Sequence, residues 1–218
     1  MLLHHFLNKK FGLDGIRRRR LKIATLNELN DPFEMLAMSL ENRDLRSAFR
    51  ATKDQMASRA GLLCFSRGWR NPVQWSHYGD HHRGLCLQFE VPDSLIRPVS
   101  YRTKRLAVDR QALEARGEAA DQFMQRVIST KFSHWRYENE ARVFVSLEDI
   151  DPETGLWFKD FGPDLVLSEV IVGALSNISR KEISDTLGDL SSSVSIRKTR
   201  LSFRRFAVVT QMNSELWV

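Results

Sequence analysis

Short apolar runs are the feature of this sequence that most limits its fold. Four of them, at 62–66, 85–89, 141–147 and 168–173, have the length and composition of buried β-strands. The longest unbroken apolar stretch, 170–175, falls far short of the roughly 20 residues that a membrane-spanning helix needs. The pattern therefore predicts a core organised around a β-sheet, and we expect no membrane among the partners.

Helical spacing of apolar residues appears in two longer segments, 34–60 and 110–131. Gly61 is expected to end the first of these helices. Further elements are predicted as short helices at 13–20, 71–78 and 179–187, and as strands at 2–6, 21–25, 99–101, 193–197 and 206–211. This irregular order favours an α+β fold with a mixed, mostly antiparallel sheet flanked by helices. No internal repeat or long linker interrupts the chain, so we predict a single domain over residues 1–218.

Positive charge is in excess, with 33 Lys and Arg against 27 Asp and Glu and a net charge of +6. The excess is concentrated in two blocks: Arg17, Arg18, Arg19 and Arg20, and then Arg204 and Arg205 within the basic strands predicted at 190–218. Such blocks are typical of a solvated surface, or of a site that contacts phosphate groups or nucleic acid. Both interpretations remain open from the sequence.

The two cysteines, Cys64 and Cys86, are too few for a disulfide framework. The first residues also lack the charged and apolar regions of an export signal. We therefore expect a cytoplasmic protein whose cysteines are free thiols.

The first segment with candidate site residues is Asn30-Asp31-Pro32-Phe33-Glu34. Asp31 is a good helix N-cap, Pro32 suits the first helical position, and Glu34 completes a capping box. Asn30 is not explained by this structural interpretation. Because a helix N-terminus offers free N–H groups to an anion, Asn30 and Asp31 remain candidate ligand contacts.

A second segment, 71–84, is rich in aromatic and imidazole side chains. Trp75, His77, Tyr78 and His82 either pack in the core or line a ligand pocket, with rings for stacking and imidazoles as donors. His77 and His81 have the i,i+4 spacing of a metal-binding pair. The sequence has no HExxH or CxxC motif, however, so we expect no metal.

The third segment contains Glu138, Glu140 and Arg142 within the run 131–142. In an extended strand all three side chains point to the same face, where arginine and carboxylate form ordinary ion pairs. The alternative is functional: a carboxylate that binds a sugar hydroxyl and stabilises an oxocarbenium-like transition state, as glycosidic chemistry requires.

Together these segments resemble domain-of-unknown-function family 2971, a prokaryotic family associated with phage defence. Its hallmark blocks correspond here to 29–34, 64–66, 75–89 and 131–142, and the resemblance covers roughly residues 2–175. It implies an intracellular bacterial or phage-linked protein, and it does not supply an activity.

A weaker resemblance is to the ADP-ribosyltransferases. His5, Tyr78 and Glu140 occur in the order of that fold's NAD-binding and catalytic positions, and Glu138-Asn139-Glu140 has its E-x-E form. The resemblance implies NAD as cofactor, His5 on the ribose, Tyr78 stacked on nicotinamide and Glu140 stabilising the ribosyl oxocarbenium. The remaining pocket contacts that it suggests are Trp75, His77, His82 and Arg142. The family's Ser-Thr-Ser strand is missing, His4 competes with His5, and Glu138 competes with Glu140.

Three hypotheses follow. The first is an NAD-dependent ADP-ribosyltransferase-like enzyme, a toxin or phage-defence effector that binds a nucleotide and modifies a nucleic-acid or protein acceptor. The second is a nucleic-acid-binding module or nuclease of a defence system, and the third is a non-enzymatic partner of another protein. Convergence of His5, Tyr78 and Glu140 in one cleft would favour the enzyme, and their dispersal would favour the third hypothesis.

Overall fold

The computed structural model describes residues 1–34, 36–107 and 117–217. Its strands are β1 (Leu2–Leu7), β2 (Arg20–Lys22), β3 (Ala24–Thr25), β4 (Ala60–Ser66), β5 (Leu85–Glu90), β6 (Ile96–Pro98), β7 (Ser100–Arg102), β8 (Thr130–Phe132), β9 (Glu140–Ser146), β10 (Phe158–Asp160), β11 (Val166–Val172), β12 (Ser195–Leu201) and β13 (Val208–Thr210). Its α-helices are α1 (Lys9–Arg18), α2 (Arg43–Ala57), α3 (Pro72–His77), α4 (Glu118–Ile128) and α5 (Arg180–Leu187). Short 3₁₀ segments lie at Asp93–Leu95, Ser133–Glu138, Gly188–Ser192 and Ser214–Leu216.

Nine strands form one mixed sheet in the order β13-β12-β11-β5-β1-β4-β9-β6, with β3 paired to β4. Its one parallel pair is β11 with β12, and the other neighbours run antiparallel. Two small sheets, β2 with β10 and β7 with β8, complete the described strands. The predicted α+β class with a mixed, mostly antiparallel sheet is therefore confirmed.

Alternation along β4 shows how the sheet is covered on both faces. Leu63 and Phe65 belong to the main core, to which α1 and α5 contribute apolar side chains. Leu62, which precedes Leu63 and points to the opposite face of the sheet, belongs to a second cluster that includes side chains of α2 and α4. Since successive strand residues point to opposite faces, helices lie against both sides of the sheet. No helix in the described part of the chain is long and apolar enough to cross a membrane.

The predicted helix at 34–60 is wrong over its first third. Helix α2 begins at Arg43, where Asn42 caps it by accepting from two backbone N–H groups. Asp31 accepts from the N–H of Phe33 in a turn, so it caps no helix. Glu34 does not complete a capping box because its carboxylate is buried in an ion pair with Arg142.

Gly61 does not end a helix either. Helix α2 ends at Ala57, and Gly61 lies inside β4. A Cβ there would come within 2.3 Å of the Ile23 side chain, so glycine allows the close approach of β3 and β4.

The strand predicted at 21–25 is divided into β2 and β3, which belong to different sheets, whereas most other predicted elements lie close to their expected positions. Asn71 caps α3 with Pro72 in its first turn, and α5 runs from the cap Ser179 to Gly188 as expected. Helix α1 begins four residues earlier than predicted, at Lys9. Of the helix predicted at 110–131, residues 117–131 are described, and the helix there is α4; the earlier residues lie outside the described ranges.

Candidate functional site

A cavity of about 140 Å³ lies where β1, β4 and β9 run side by side. Side chains from the strands, from the end of α3 and from the loop before α2 surround it. The lining residues are His4, His5, Phe6, Leu29, Asn30, Cys64, Phe65, Ser66, Gln74, Tyr78, Lys131, Glu138 and Glu140. The cavity thus brings together His5, Tyr78 and both glutamates of the E-x-E motif, which are separated by as many as 135 positions in the sequence.

Helix α3 places Tyr78 against the carboxylates. The Gln74 side chain donates to the carbonyl of Glu138 (2.6 Å), which fixes α3 against the 3₁₀ segment Ser133–Glu138. The Tyr78 hydroxyl follows the helix and donates to the Glu138 carboxylate, while Asn30 donates to the Tyr78 oxygen. Burial and the neighbouring Glu138 raise the pKa of Tyr78 well above its usual range, so the hydroxyl remains a donor.

A buried chain of alternating charges begins at the cavity, with Glu138, Lys131 and Glu140 in its lining, and continues behind it through Arg142 and Glu34. Lys131 Nζ donates to Glu138 (2.6 Å) and to Glu140 (3.1 Å). Arg142 donates to both oxygens of Glu140 at 2.8 and 3.1 Å, and to both oxygens of Glu34 at 2.6 and 3.1 Å. All five side chains are buried, so these contacts lie away from bulk solvent, where charge interactions are strong.

The two glutamates of the E-x-E motif have different electrostatic environments. Burial opposes the charge of Glu140, but Arg142 and Lys131 outweigh it and hold the pKa of that carboxyl below its ordinary value. Burial raises the pKa of Glu138, and Lys131 offsets this only in part. Glu140 is therefore a compensated anion, and Glu138 is the carboxyl of the pair whose pKa is raised.

The two histidines of β1 also differ. Both ring nitrogens of His4 are engaged, Nδ1 with the Ser66 carbonyl and Nε2 with the Gln88 side chain. His5 makes one such contact, from Nδ1 to the Cys64 carbonyl at 2.8 Å. Because a carbonyl only accepts, the proton of neutral His5 is on Nδ1, and Nε2 is left as an acceptor. Burial lowers the pKa of both rings.

These lowered pKa values predict a pH dependence of stability. Below the ordinary histidine pKa of about 6.5, His4 and His5 become protonated in the unfolded chain but stay neutral in the folded protein. The free energy of unfolding therefore falls as the pH is lowered, by up to about 1.4 kcal/mol per pH unit for each ring. We expect His4→Gln/His5→Gln to lose less stability than the wild type between about pH 7.5 and 5.5 in urea unfolding.

The exposed His134 provides the control, because His134→Gln should follow the wild-type pH profile. Comparison between variants is needed because the raised pKa of Glu138 acts in the opposite direction, adding stability as the pH falls. Equal losses in the double variant and the wild type would contradict the prediction.

Several predicted pocket residues lie elsewhere. Trp75 is 0% exposed, its indole N–H donates to the Trp69 carbonyl, and His82 stacks on it. His77 pairs with the Tyr137 hydroxyl at the surface. These three side chains, together with Asp31 and Arg142, are not among the residues that line the cavity.

The metal interpretation has no geometric support in the described residues. Helix α3 ends at His77, and His81 adopts a left-handed backbone with φ of 51°, so the two do not share a helix face. Within residues 1–34, 36–107 and 117–217, no three His, Cys, Asp or Glu side chains gather in a way that holds a metal ion. Both cysteines are free thiols.

Most of the first basic block is neutralised internally. Arg18 pairs with Asp14 and Glu153, and Arg19 pairs with Asp189. Arg20 pairs with Asp151 at 2.5 Å and lies over the Phe158 ring. The exposed arginines of the two predicted blocks are Arg17, Arg18, Arg19, Arg204 and Arg205, and among these only Arg17, Arg204 and Arg205 have no carboxylate partner in the described chain.

Several residues of the site were not predicted from the sequence, among them Lys131, Gln74, Cys64 and Glu34. Lys131 and Cys64 are the first residues of two of the hallmark blocks. The motif resemblance therefore pointed to both positions, although their chemistry alone gave them no role. Burial, with a contribution from Glu140, raises the pKa of the Cys64 thiol, which therefore stays protonated. Gln74 and Glu34 had no local signal, because their partners lie 64 and 108 positions away.

A second cavity, of about 250 Å³, shares Lys131 with the first. Arg102, Lys104 and Arg105 give it a basic lining, and Phe33 and Phe132 give it aromatic rings. Cations beside aromatic faces suit a ligand that carries both phosphate and a planar base.

Comparisons with protein-family models, with curated proteins and with solved structures find no match for this chain. Membership of family 2971 stays a proposal that rests on its motif blocks.

Proposed function

We propose that this protein is an NAD-dependent ADP-ribosyltransferase-like enzyme, with its reactive centre in the 140 Å³ cavity. The observation that carries the proposal is the meeting of His5, Tyr78, Glu138 and Glu140 around one space. This clustering favours the enzyme over a non-enzymatic partner protein, for which we expected the side chains to be dispersed. Likeness to the ADP-ribosyltransferase fold, and a role as a phage-defence effector, belong to the same proposal.

Glu138 is the better candidate for the catalytic carboxyl. The charge of Glu140 is already compensated by Arg142 and Lys131. Glu140 would therefore contribute little to the electrostatic stabilisation of a cationic transition state. Glu138 lines the cavity with a raised pKa, which suits a group that binds a ribose hydroxyl and exchanges a proton with it. In this proposal Glu140 and Arg142 position Lys131, and Lys131 positions Glu138.

His5 and Tyr78 supply binding groups for the two halves of a nicotinamide riboside. The Nε2 of His5 is an acceptor for a ribose hydroxyl, and the Tyr78 ring offers a face on which nicotinamide stacks. Asn30 and Glu138 fix the tyrosine hydroxyl, so the ring is held before the ligand arrives.

The size of the cavity limits which part of NAD it holds. Ligand pockets usually measure about 300–1,000 Å³, whereas this one is about 140 Å³. It therefore suits one ring and its neighbouring sugar atoms. The basic and aromatic cavity beyond Lys131 suits the phosphates and the second base, a role that the ion-paired Arg18, Arg19 and Arg20 fill poorly.

The test is release of nicotinamide from NAD by the purified protein, measured by chromatography. We expect the wild type to release nicotinamide, and Tyr78→Ala to weaken NAD binding by roughly tenfold because one stacking contact and one fixed hydrogen bond are lost. Phe11→Ala is the control, since this exposed ring lies on α1 and is not among the residues that line the cavity. A protein that neither binds nor cleaves NAD would contradict the proposal.

A second candidate function, nucleic-acid binding, has one observation in its favour. Arg204 and Arg205 lie at an exposed hairpin tip and lack carboxylate partners within the described ranges. This surface lies outside the lining of the cavity.

A further inference from the structure

The loop between β12 and β13 presents the most exposed aromatic side chains among those described. It is called here the hairpin tip, residues 202–207. Phe203 is 93% exposed and Phe206 is 101% exposed, and the two arginines between them, Arg204 and Arg205, are exposed as well. Burial of a phenylalanine side chain contributes about 1.5–3 kcal/mol of favourable free energy. Two neighbouring rings that are fully exposed therefore indicate a surface that binds a partner.

Hydrogen bonds define the conformation of the hairpin tip. The Ser202 N–H donates to the Ala207 carbonyl at 3.0 Å, which closes the loop directly beyond the last pair of the two strands. The Ser202 hydroxyl accepts from the N–H of Arg204, and the Ala207 N–H donates to the Arg205 carbonyl. The rings and arginines are therefore presented by a closed turn at the edge of the sheet.

The charge of the hairpin tip is not compensated. Further along β12, Arg197 is paired with Glu169, and Lys198 donates to two backbone carbonyls. Arg200 instead lies over the Phe203 ring at 5.2 Å. Within the described chain no carboxylate pairs with Arg200, Arg204 or Arg205, so the surface is suited to an anion that also has flat apolar faces.

We infer that the hairpin tip binds single-stranded nucleic acid, with bases stacked on Phe203 and Phe206 and phosphates bound by Arg204 and Arg205. Proteins that bind single-stranded nucleic acid combine aromatic rings with a basic surface. The bases stack on the rings, and the phosphate of each nucleotide is attracted to the positive charges. A second copy of the chain is disfavoured because it would bring like charges together. A membrane surface is disfavoured because the tip has none of the Trp or Tyr typical of that interface.

Fluorescence anisotropy with labelled oligo(dT) and oligo(U) of about 20 nucleotides tests the inference. We expect the wild type to bind both, and Phe203→Ala/Phe206→Ala to weaken binding by roughly tenfold for each ring lost. Arg204→Ser/Arg205→Ser should reduce the slope of log K against log salt by about 1.4, at about 0.7 for each phosphate contact. Circular dichroism checks that the variants are folded.

A matched pair of variants separates the tip from general charge. Phe203→Ala/Arg204→Ser and Phe11→Ala/Arg17→Ser each remove one exposed phenylalanine and one exposed arginine, the second pair from α1. Only the first should weaken binding. Equal loss in both, or no binding by the wild type, would overturn the inference. So would tip variants that lose binding to phosphatidylserine vesicles while binding oligonucleotides normally.

Discussion

Replacing Glu138 with glutamine is expected to lower the rate of NAD cleavage by about 100- to 10,000-fold, the range that removal of a general acid or base produces. Glutamine keeps the shape of the side chain and can still accept from Tyr78, but it neither carries a charge nor exchanges a proton. The measurement is kcat for nicotinamide release, with NAD affinity followed separately. We expect kcat to fall much more than affinity.

Glu215→Gln is the neutral control, because this glutamate is exposed and is not among the residues that line the cavity. Glu140→Gln provides the sharper comparison. It should reduce stability, since Arg142 loses one of its two bidentate carboxylate partners. Glu138→Gln should change stability less, because burial opposes the charge of Glu138 and Lys131 keeps Glu140 as a partner. Full activity in Glu138→Gln would refute the role of Glu138, and a large loss only in Glu140→Gln would return that role to Glu140.

Arg142→Met is expected to lower the free energy of unfolding by about 3–5 kcal/mol, the cost of breaking a buried ion pair by removing one partner. Arg142 is 1% exposed and holds Glu34, Glu140 and the Ile128 carbonyl. Without it, Glu34 loses its guanidinium partner and Glu140 retains only Lys131. In a chain of this size the loss corresponds to a Tm lower by roughly 6–20 °C.

Urea unfolding measures the effect, and Arg97→Met is the matched control. Arg97 lies opposite Arg142 on the neighbouring β6, but within the described ranges it donates only to the backbone carbonyls of Ser94 and Ile96. We expect a change of about 1 kcal/mol or less there. Arg142→Lys retains the charge without the bidentate geometry and should fall between the two. Similar losses in Arg97→Met and Arg142→Met would show that the buried charges contribute little.

Local signals account for the elements that the sequence predicted correctly. The apolar runs at 62–66 and 85–89 form strands, because an apolar run this short is typical of a buried strand. Asn71 and Ser179 cap helices because their side chains accept from backbone N–H groups in the first turn. The helix predicted from Glu34 failed for a non-local reason. Its carboxylate is bound by an arginine 108 positions away, and no window of local sequence reports that contact.

The candidate site could be predicted only in part for the same reason. Motif order identified His5, Tyr78 and the glutamate pair, but it did not distinguish Glu138 from Glu140. That distinction depends on which cation each carboxylate meets in the fold. The block Arg17, Arg18, Arg19 and Arg20 shows the same dependence on the fold, since three of these residues meet acidic partners as distant as 170 positions.

The central position of β1 has a consequence for how the protein is made. Residues 2–7 lie in the sheet between β4 and β5, and the cavity is complete only when β9 has joined β4 on the far side. During synthesis, β1 leaves the ribosome long before either neighbour, and about 135 further residues must follow before Glu140 and Arg142 exist. Until β4 and β5 have followed, β1 has two open edges, which is the situation in which nascent chains aggregate or engage chaperones. Assembly of the sheet, and of the reactive centre with it, is therefore a late and non-local event.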